Sequence, residues 1–279
     1  MPKTWFITGA SRGLGTEIAK AALKAGDNVV ATARNSARLA QAIGPAADRL
    51  LTVDLDVTDP KQAAAAVEAA VKRFGGIDVL VNNAGYGHLS FFEEASEADI
   101  RTQFETNVFG VFHVTQAVLP VMRKAKSGRI FNLSSIGGLR AIEFGSLYCA
   151  TKFAVEGMSE ALAQEVAPFG IFVTIIEPGP FRTDFLTQES LRFGGKTIGD
   201  YDSRRAAVRA SFEGRNGNQP GDPARLAQAM VTLANEAKPP LRFLGGALAV
   251  DMAKTKLAGM TAEFDRWRDL ALGTDYAAA

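Results

Sequence analysis

The chain contains a single cysteine, Cys149, and only two histidines, His88 and His113, among 279 residues. One thiol closes no internal disulfide, and a cysteine-rich metal site is excluded with it. Cysteine usage this sparse fits a reducing compartment, so a cytoplasmic location is the expectation. Neither histidine has the acidic or thiol cluster of a ligand set; both are read as structural, and no metal is expected. Charge of one sign is also lacking: 31 Lys+Arg stand against 30 Asp+Glu, a formal charge of +1. That balance gives no general attraction to nucleic acid or to an anionic membrane. No apolar run approaches the roughly 20 residues that span a bilayer. The N-terminal apolar stretch, residues 4–8, is too short for a signal peptide.

With 47 % apolar and 22 % charged residues, the chain has the material for a core, and wholesale disorder is excluded. Short apolar runs alternate with longer helical segments. Strands are predicted at residues 5–8, 29–33, 50–53, 77–81, 129–133 and 172–176, and a seventh at 241–244. Residues 14–25 have helical periodicity, with Leu14, Ile18, Ala21 and Ala22 on one face and Gly26 as the stop. Residues 58–74 form an alanine-rich helix opened by Asp59 and Pro60, a cap residue and a first-turn residue. Continuous apolar strands suit a parallel sheet covered on both faces, and the alternation predicts a doubly wound α/β fold of about seven strands. No repeat or linker divides residues 1–279, which read as one domain. Residues 187–222, rich in glycine and charge, are the least regular stretch and are expected to form a substrate lid.

Between the first strand and first helix lies Thr8-Gly9-Ala10-Ser11-Arg12-Gly13-Leu14-Gly15. Glycines there let the backbone turn tightly and approach a pyrophosphate, which the helix N-terminus then attracts. The spacing is Gly-x-x-x-Gly-x-Gly, not the Gly-x-Gly-x-x-Gly of the common dinucleotide fingerprint. Gly195-Lys196-Thr197 resembles the end of a P-loop, but Ser190 occupies its first glycine position. After the second strand comes Ala33-Arg34-Asn35-Ser36, with no carboxylate to take ribose hydroxyls and one arginine. Arg34 and Arg12 suit a 2′-phosphate, so NADP(H) is expected over NAD(H).

Tyr148 and Lys152 lie four residues apart in a helical segment and so share a face. A neighbouring ammonium stabilises a phenolate, and a lowered phenol pKa is the expectation. Their context adds Asn82-Asn83-Ala84-Gly85 after the fourth strand, Thr106-Asn107-Val108 in a helix, Asn132-Leu133-Ser134-Ser135 after the fifth strand and Pro178-Gly179-Pro180 after the sixth. With these ordered motifs the chain resembles the short-chain dehydrogenase/reductase family, in its compact single-domain branch, from residue 3 to about 183.

The resemblance implies a catalytic tetrad of Asn107, Ser135, Tyr148 and Lys152. Ser135 is preferred to Ser134 because it lies thirteen positions before Tyr148. Ser135 would hold the substrate oxygen, Tyr148 would give or take the proton, Lys152 would bind the nicotinamide ribose and Asn107 would keep a water-linked relay. Cofactor contacts are expected from Gly9, Ser11, Arg12, Gly13, Leu14, Gly15, Arg34, Asp56, Val57, Asn83, Ala84, Gly85, Tyr148, Lys152, Pro178, Gly179, Phe181 and Thr183. The implied activity is NADP(H)-dependent interconversion of a ketone or aldehyde and its alcohol. Tyr86, Ile136, Phe144, Pro180, Phe181 and Phe185 offer a mostly apolar lining, with Arg140 and Glu143 as polar neighbours, which favours an apolar substrate. Two other readings meet opposing features. The glycine spacing and the missing substrate domain oppose an extended-branch epimerase or dehydratase. The filled tetrad opposes a non-enzymatic NADP sensor. The helical faces of residues 100–121 and 153–166 are expected to build a homodimer or homotetramer, as they often do in this family.

Overall fold

The computed structural model describes residues 2–44, 47–187 and 190–276. Its central sheet has seven parallel strands: β1 (Thr4–Ile7), β2 (Asn28–Ala33), β3 (Leu50–Asp54), β4 (Val79–Asn82), β6 (Gly128–Leu133), β7 (Ile171–Pro178) and β9 (Arg242–Gly245), in the spatial order β3-β2-β1-β4-β6-β7-β9. A second, two-stranded parallel sheet pairs β5 (Gly87–Leu89) with β8 (Leu191–Phe193). The helices are α1 (Gly13–Lys24), α2 (Leu39–Ile43), α3 (Pro60–Phe74), α4 (Glu97–Phe104), α5 (Gly110–Ala125), α6 (Ser146–Val166), α7 (Asp202–Arg215), α8 (Pro223–Asn235) and α9 (Ala247–Leu272). The doubly wound architecture and seven-stranded sheet agree with the sequence reading.

Strand alternation splits the core. Trp5, Ile7, Val29, Ala31, Val79 and Val81 face α1, α2 and α8. Phe6, Val30, Leu80 and Ile130 face α3, α5 and α6. Fully buried side chains of this size contribute about 1.5–3 kcal/mol each, and both faces of every central strand are used, as a parallel sheet requires. Local signals act where expected. Asp59 caps α3 by accepting from the Lys61 and Gln62 N–H groups, Pro60 holds the first turn, and Gly75 ends the helix in the left-handed region. Between α4 and α5, residues Glu105–Phe109 form a π-helical turn. None of the helices among the described residues is long and apolar enough to cross a membrane.

The stretch 187–222 is more regular than its glycines suggest. Residues 188 and 189 lie outside the described part, but beyond them come β8 and the fourteen-residue α7. The glycines fall at the joints between these elements. Val208 and Phe212 of α7 pack on a small buried cluster of Leu89, Phe91, Phe144 and Leu191. Tyr201 stacks on Phe91 with ring centres 4.4 Å apart. Arg205 pairs with the buried Glu94 and, at 2.5 Å, with Asp202, while Arg204 pairs with Glu143. This flap is folded onto the body by a second hydrophobic centre.

Glu94 has its pKa held below the usual carboxylate value, first by the Arg205 hydrogen bond, against the cost of burial. A depressed carboxyl contributes stability above its unfolded pKa and loses it as pH falls through the folded one. Arg205→Ala leaves that carboxylate buried without its cation. Backbone hydrogen exchange over residues 198–215 should rise in the variant and approach that of the wild type under acid, while the central strands stay protected. Unchanged flap exchange would show that the aromatic cluster alone holds it.

Candidate active site

All seven strands of the main sheet run the same way, so the loops after β1, β4, β6 and β7 gather at one edge. After β1 the backbone passes through Gly9 at φ 65° and Gly13 at φ 56°. Those values favour glycine, and crowding reinforces the choice. A Cβ on Gly9 would stand 2.8 Å from the Ala84 Cα, and one on Gly15 would stand 2.5 Å from the Gly9 carbonyl oxygen and 2.6 Å from Asn83 Nδ2. Asn83 stitches the loop to β4 by donating from Nδ2 to the carbonyls of Thr8 at 2.9 Å and Gly9 at 3.0 Å. Thr8 returns the tie, its Oγ1 accepting from the N–H groups of Asn83 and Ala84, both at 3.0 Å. Sequence reasoning gave Thr8 no role; its place directly before Gly9 was the available signal.

Arg12 precedes α1 in an extended conformation, and no side chain caps that helix. The first-turn N–H groups of a helix end of this kind can bind an anion. Beside it is a cavity of about 350 Å³ whose lining includes Ser11, Arg12, Gly13, Arg182, Thr183 and Asp184. Thr183 accepts from the Phe185 N–H at 3.3 Å and lies 3.6 Å from where a Gly13 Cβ would be. Leu14 packs partly into the core, and Gly110 leaves the space that Val57 fills. Gly85 lies against the Asn107 amide, where a Cβ would stand 3.1 Å from Oδ1. Arg34 is exposed just past β2. A carboxylate does stand nearby: Asp54, at the end of β3, accepts from the Ser36 N–H at 2.7 Å. It reaches this region through strand pairing, which the local sequence around Arg34 does not show. Asp56 accepts from both the N–H and Oγ1 of Thr58, at 3.0 and 2.8 Å.

The structure brings Ser135, Tyr148 and Lys152 together at the end of β6. Ser135 sits in extended backbone with its Oγ accepting from the Gly137 N–H at 3.0 Å, and its side chain hydrogen-bonds the Tyr148 phenol. Lys152 is 8 % exposed; its Nζ donates to the Leu133 carbonyl at 2.7 Å and lies 5.7 Å from the Tyr148 ring centre. Burial pushes the Tyr148 phenol up to about 12 despite the Ser135 hydrogen bond, which corrects the expectation of a lowered value. Burial also brings Lys152 down to about 8, opposed by the Glu156 carboxylate. In this arrangement desolvation is the largest influence on both groups.

Asn107 lies in the π-helical turn, 1 % exposed. Its Nδ2 donates to the Tyr86 carbonyl at 3.0 Å and to Thr151 Oγ1 at 3.2 Å, and its Oδ1 accepts from the Tyr86 N–H at 3.1 Å. The amide thus joins the loop after β4 to α6 through Thr151, the neighbour of Lys152. Gly179 donates to the Gly245 carbonyl at 2.9 Å, fixing the turn after Pro178. Phe181 covers Gly221 and Gly245, which leave room for its ring. Of the expected apolar lining, Phe185 packs beside Tyr148 with ring centres 5.7 Å apart and planes tilted by 55°, and Tyr86 lies under the Arg192 guanidinium at 4.6 Å. Phe144, at φ 68°, instead turns into the flap cluster against Phe91. Glu143 is taken up by Arg204, and Arg140 is exposed.

One turn beyond Lys152, the buried Glu156 and Glu177 share the Arg242 guanidinium, which also pairs with Glu160. Burial and the neighbouring Glu156 raise Glu177 to about 7. No motif pointed to this cluster, since its members come from α6, β7 and β9. Of the remaining candidates, Cys149 is buried with its thiol pushed up by burial, and His88 is buried 3.9 Å from Asp99. His113 Nδ1 lies 3.2 Å from the Val57 carbonyl.

The crowding at Gly15 gives a direct test of the loop. Gly15→Ala should shift the Gly9 carbonyl and Asn83, at an overpacking cost of about 1–3 kcal/mol. Thermal unfolding should register the loss, and dinucleotide affinity measured by calorimetry should fall with it. Full affinity in a stable variant would separate the loop's close packing from nucleotide binding.

The short chain dehydrogenase family matches residues 3–192. The 3-ketodihydrosphingosine reductase of Bacteroides thetaiotaomicron is 40 % identical over 258 residues, covering 91 % of this chain and 92 % of its own. A short-chain dehydrogenase crystal structure from Streptomyces avermitilis superposes with a TM-score of 0.91 at 40 % identity, covering 99 % of this chain and 100 % of that one. The structure of ElxO with NADP bound superposes with a TM-score of 0.74 at 30 % identity, covering 89 % and 100 %.

Proposed function

The chain belongs to the short-chain dehydrogenase family of oxidoreductases, and from that premise we propose that it is an NADP(H)-dependent reductase of apolar ketones or aldehydes that also runs in reverse on the alcohols. The observation that carries the reading is the Ser135–Tyr148–Lys152 arrangement at the sheet edge that also holds the glycine loop. The uncapped first turn of α1, the positive-φ glycines and the cavity beside Arg12 fit a dinucleotide pyrophosphate. Arg12 and the exposed Arg34 support a 2′-phosphate, and the NADP-bound ElxO structure is consistent with that choice. A bound nicotinamide supplies or accepts the hydride.

In reduction, Ser135 Oγ donates to the substrate oxygen, where negative charge grows. Tyr148 delivers its proton to that oxygen, and Lys152 keeps a positive charge beside the phenol as it becomes an anion. Asn107 sets the position of Thr151, and thereby of the turn that carries Lys152. Phe185 and Tyr86 favour an apolar body on the substrate. The ketone named in the Bacteroides relative is consistent with that class.

Two outcomes test the assignment. Arg34→Ala removes a charge-assisted bond worth about 1.5–3 kcal/mol, so the NADPH dissociation constant should rise about ten- to a hundredfold with NADH unaffected; equal losses for both would make Arg34 structural. Tyr148→Phe should keep NADPH binding while steady-state ketone reduction falls by about 10²–10⁴-fold. In the unsubstituted enzyme the phenol, pushed up to about 12, stays protonated, whereas Lys152 loses its charge above about 8. Reduction should therefore decline as pH rises through about 8, and substantial turnover by the phenylalanine variant would overturn the mechanism.

A further inference from the structure

The last helix, α9, spans twenty-six residues, yet only Ala249 and Ala253 in it are buried. Its root packs with Met252 against Ile136 and Leu244, beside the Ser135 loop. From residue 254 onward almost every residue is exposed, over a length of about 28 Å at 1.5 Å per residue. That free part is not polar all round. Leu257 is 60 % exposed, Phe264 63 % and Trp267 52 %. Together with Val250, Ala253, Met260 and Ala271 they recur at alternating steps of three and four, the seam of a heptad repeat. Isolated helices of this length are marginal in water, and most helical stability comes from packing an apolar face.

We propose that α9 is an assembly element that pairs with α9 of a second copy of this chain, as a parallel two-stranded coiled coil centred on Leu257, Met260, Phe264 and Trp267. The charges choose the occupant. Lys254, Lys256, Arg266 and Arg268 balance Asp251, Glu263, Asp265 and Asp269, so the helix lacks the cationic polar face of a membrane-surface helix. They choose the orientation as well. In a parallel pair the positions flanking the seam meet as Glu263 with Arg268 of the partner subunit, twice by symmetry. Each Arg268 is held only by its own exposed Asp269 at 3.9 Å. An antiparallel pair over the same free segment sets Glu263 beside its own copy and Lys254 beside Arg268, repulsions at three points. The pairing surface is separate from the helical faces of residues 100–121 and 153–166, and its root touches the turn that follows Ser135.

The test uses the full chain and two readouts. Analytical ultracentrifugation of Phe264→Glu combined with Trp267→Glu should show the wild-type mass reduced to half or to the next smaller assembly, with the helical circular dichroism of the globular body retained. Leu257→Cys should form an interchain disulfide under mild oxidation, since the two positions face each other only in the parallel pair; Cys149 is buried and does not compete. Ala262→Cys, on the outer face, should not. Glu263→Arg should weaken assembly at least about fivefold, for two exposed pairs turned repulsive, and adding Arg268→Glu should restore it. An unchanged mass for the double glutamate variant would overturn the proposal. So would equal cross-linking at both cysteine positions, or helix burial that appears only with neutral lipid vesicles.

Discussion

The structure turns on keeping the Lys152 ammonium out of water. A lone buried cation is costly, and here three features hold it: the Leu133 carbonyl at 2.7 Å, the Tyr148 ring and the Glu156 carboxylate one turn along α6. Each partner is placed by a different constraint. Leu133 ends β6, whose position between β4 and β7 fixes the carbonyl. Tyr148 and Glu156 flank Lys152 on one helical face. The loop after β6 can then present Ser135 to the phenol without further support from the core.

Glu156 could not serve alone, because it too is buried, at 5 % exposure, and it meets Glu177. Two carboxylates in one apolar site repel, and the Arg242 guanidinium between them answers that repulsion. The Lys152 ammonium is thereby tied to β9, the far strand of the sheet. Burial and the neighbouring Glu156 together raise Glu177 to about 7. The charge behind Lys152 therefore depends on Arg242, on a strand at the edge of the sheet.

Residues that act through local spacing were legible in the sequence. The glycine loop reads as a turn between strand and helix because its requirements are backbone conformation and close approach, both met by glycine within seven residues of chain. Tyr148 and Lys152 read as a pair because helical periodicity puts them on one face. Residues that act through pairing across the sheet were not legible. Asp54 meets Ser36 through the register of β2 and β3, and Arg242 meets Glu177 through that of β7 and β9. The phenol's elevated pKa is not legible for a related reason: the spacing shows the cation but not the burial, and burial is the largest cause of the shift. The regularity of the flap is not legible because its glycines mark joints between β8 and α7, while the aromatic cluster that orders it draws on Phe91 and Phe144 far away in sequence.

The same division separates what the fold must keep from what it can vary. The sheet edge is over-determined: moving Gly9, Gly15 or Asn83 disturbs the others, because their backbones and amides occupy the same few ångströms. The flap is joined to the body by side chains, through stacking on Phe91 and ion pairs at Glu94 and Glu143. Changes there can reshape the approach to Tyr148 and leave the glycine loop untouched. The two regions meet at Phe185, which touches the Tyr148 ring and would contact a Cβ on Gly87 at the start of β5. Through that contact a substitution in the small sheet can reach the Tyr148 ring while the glycine loop stays in place.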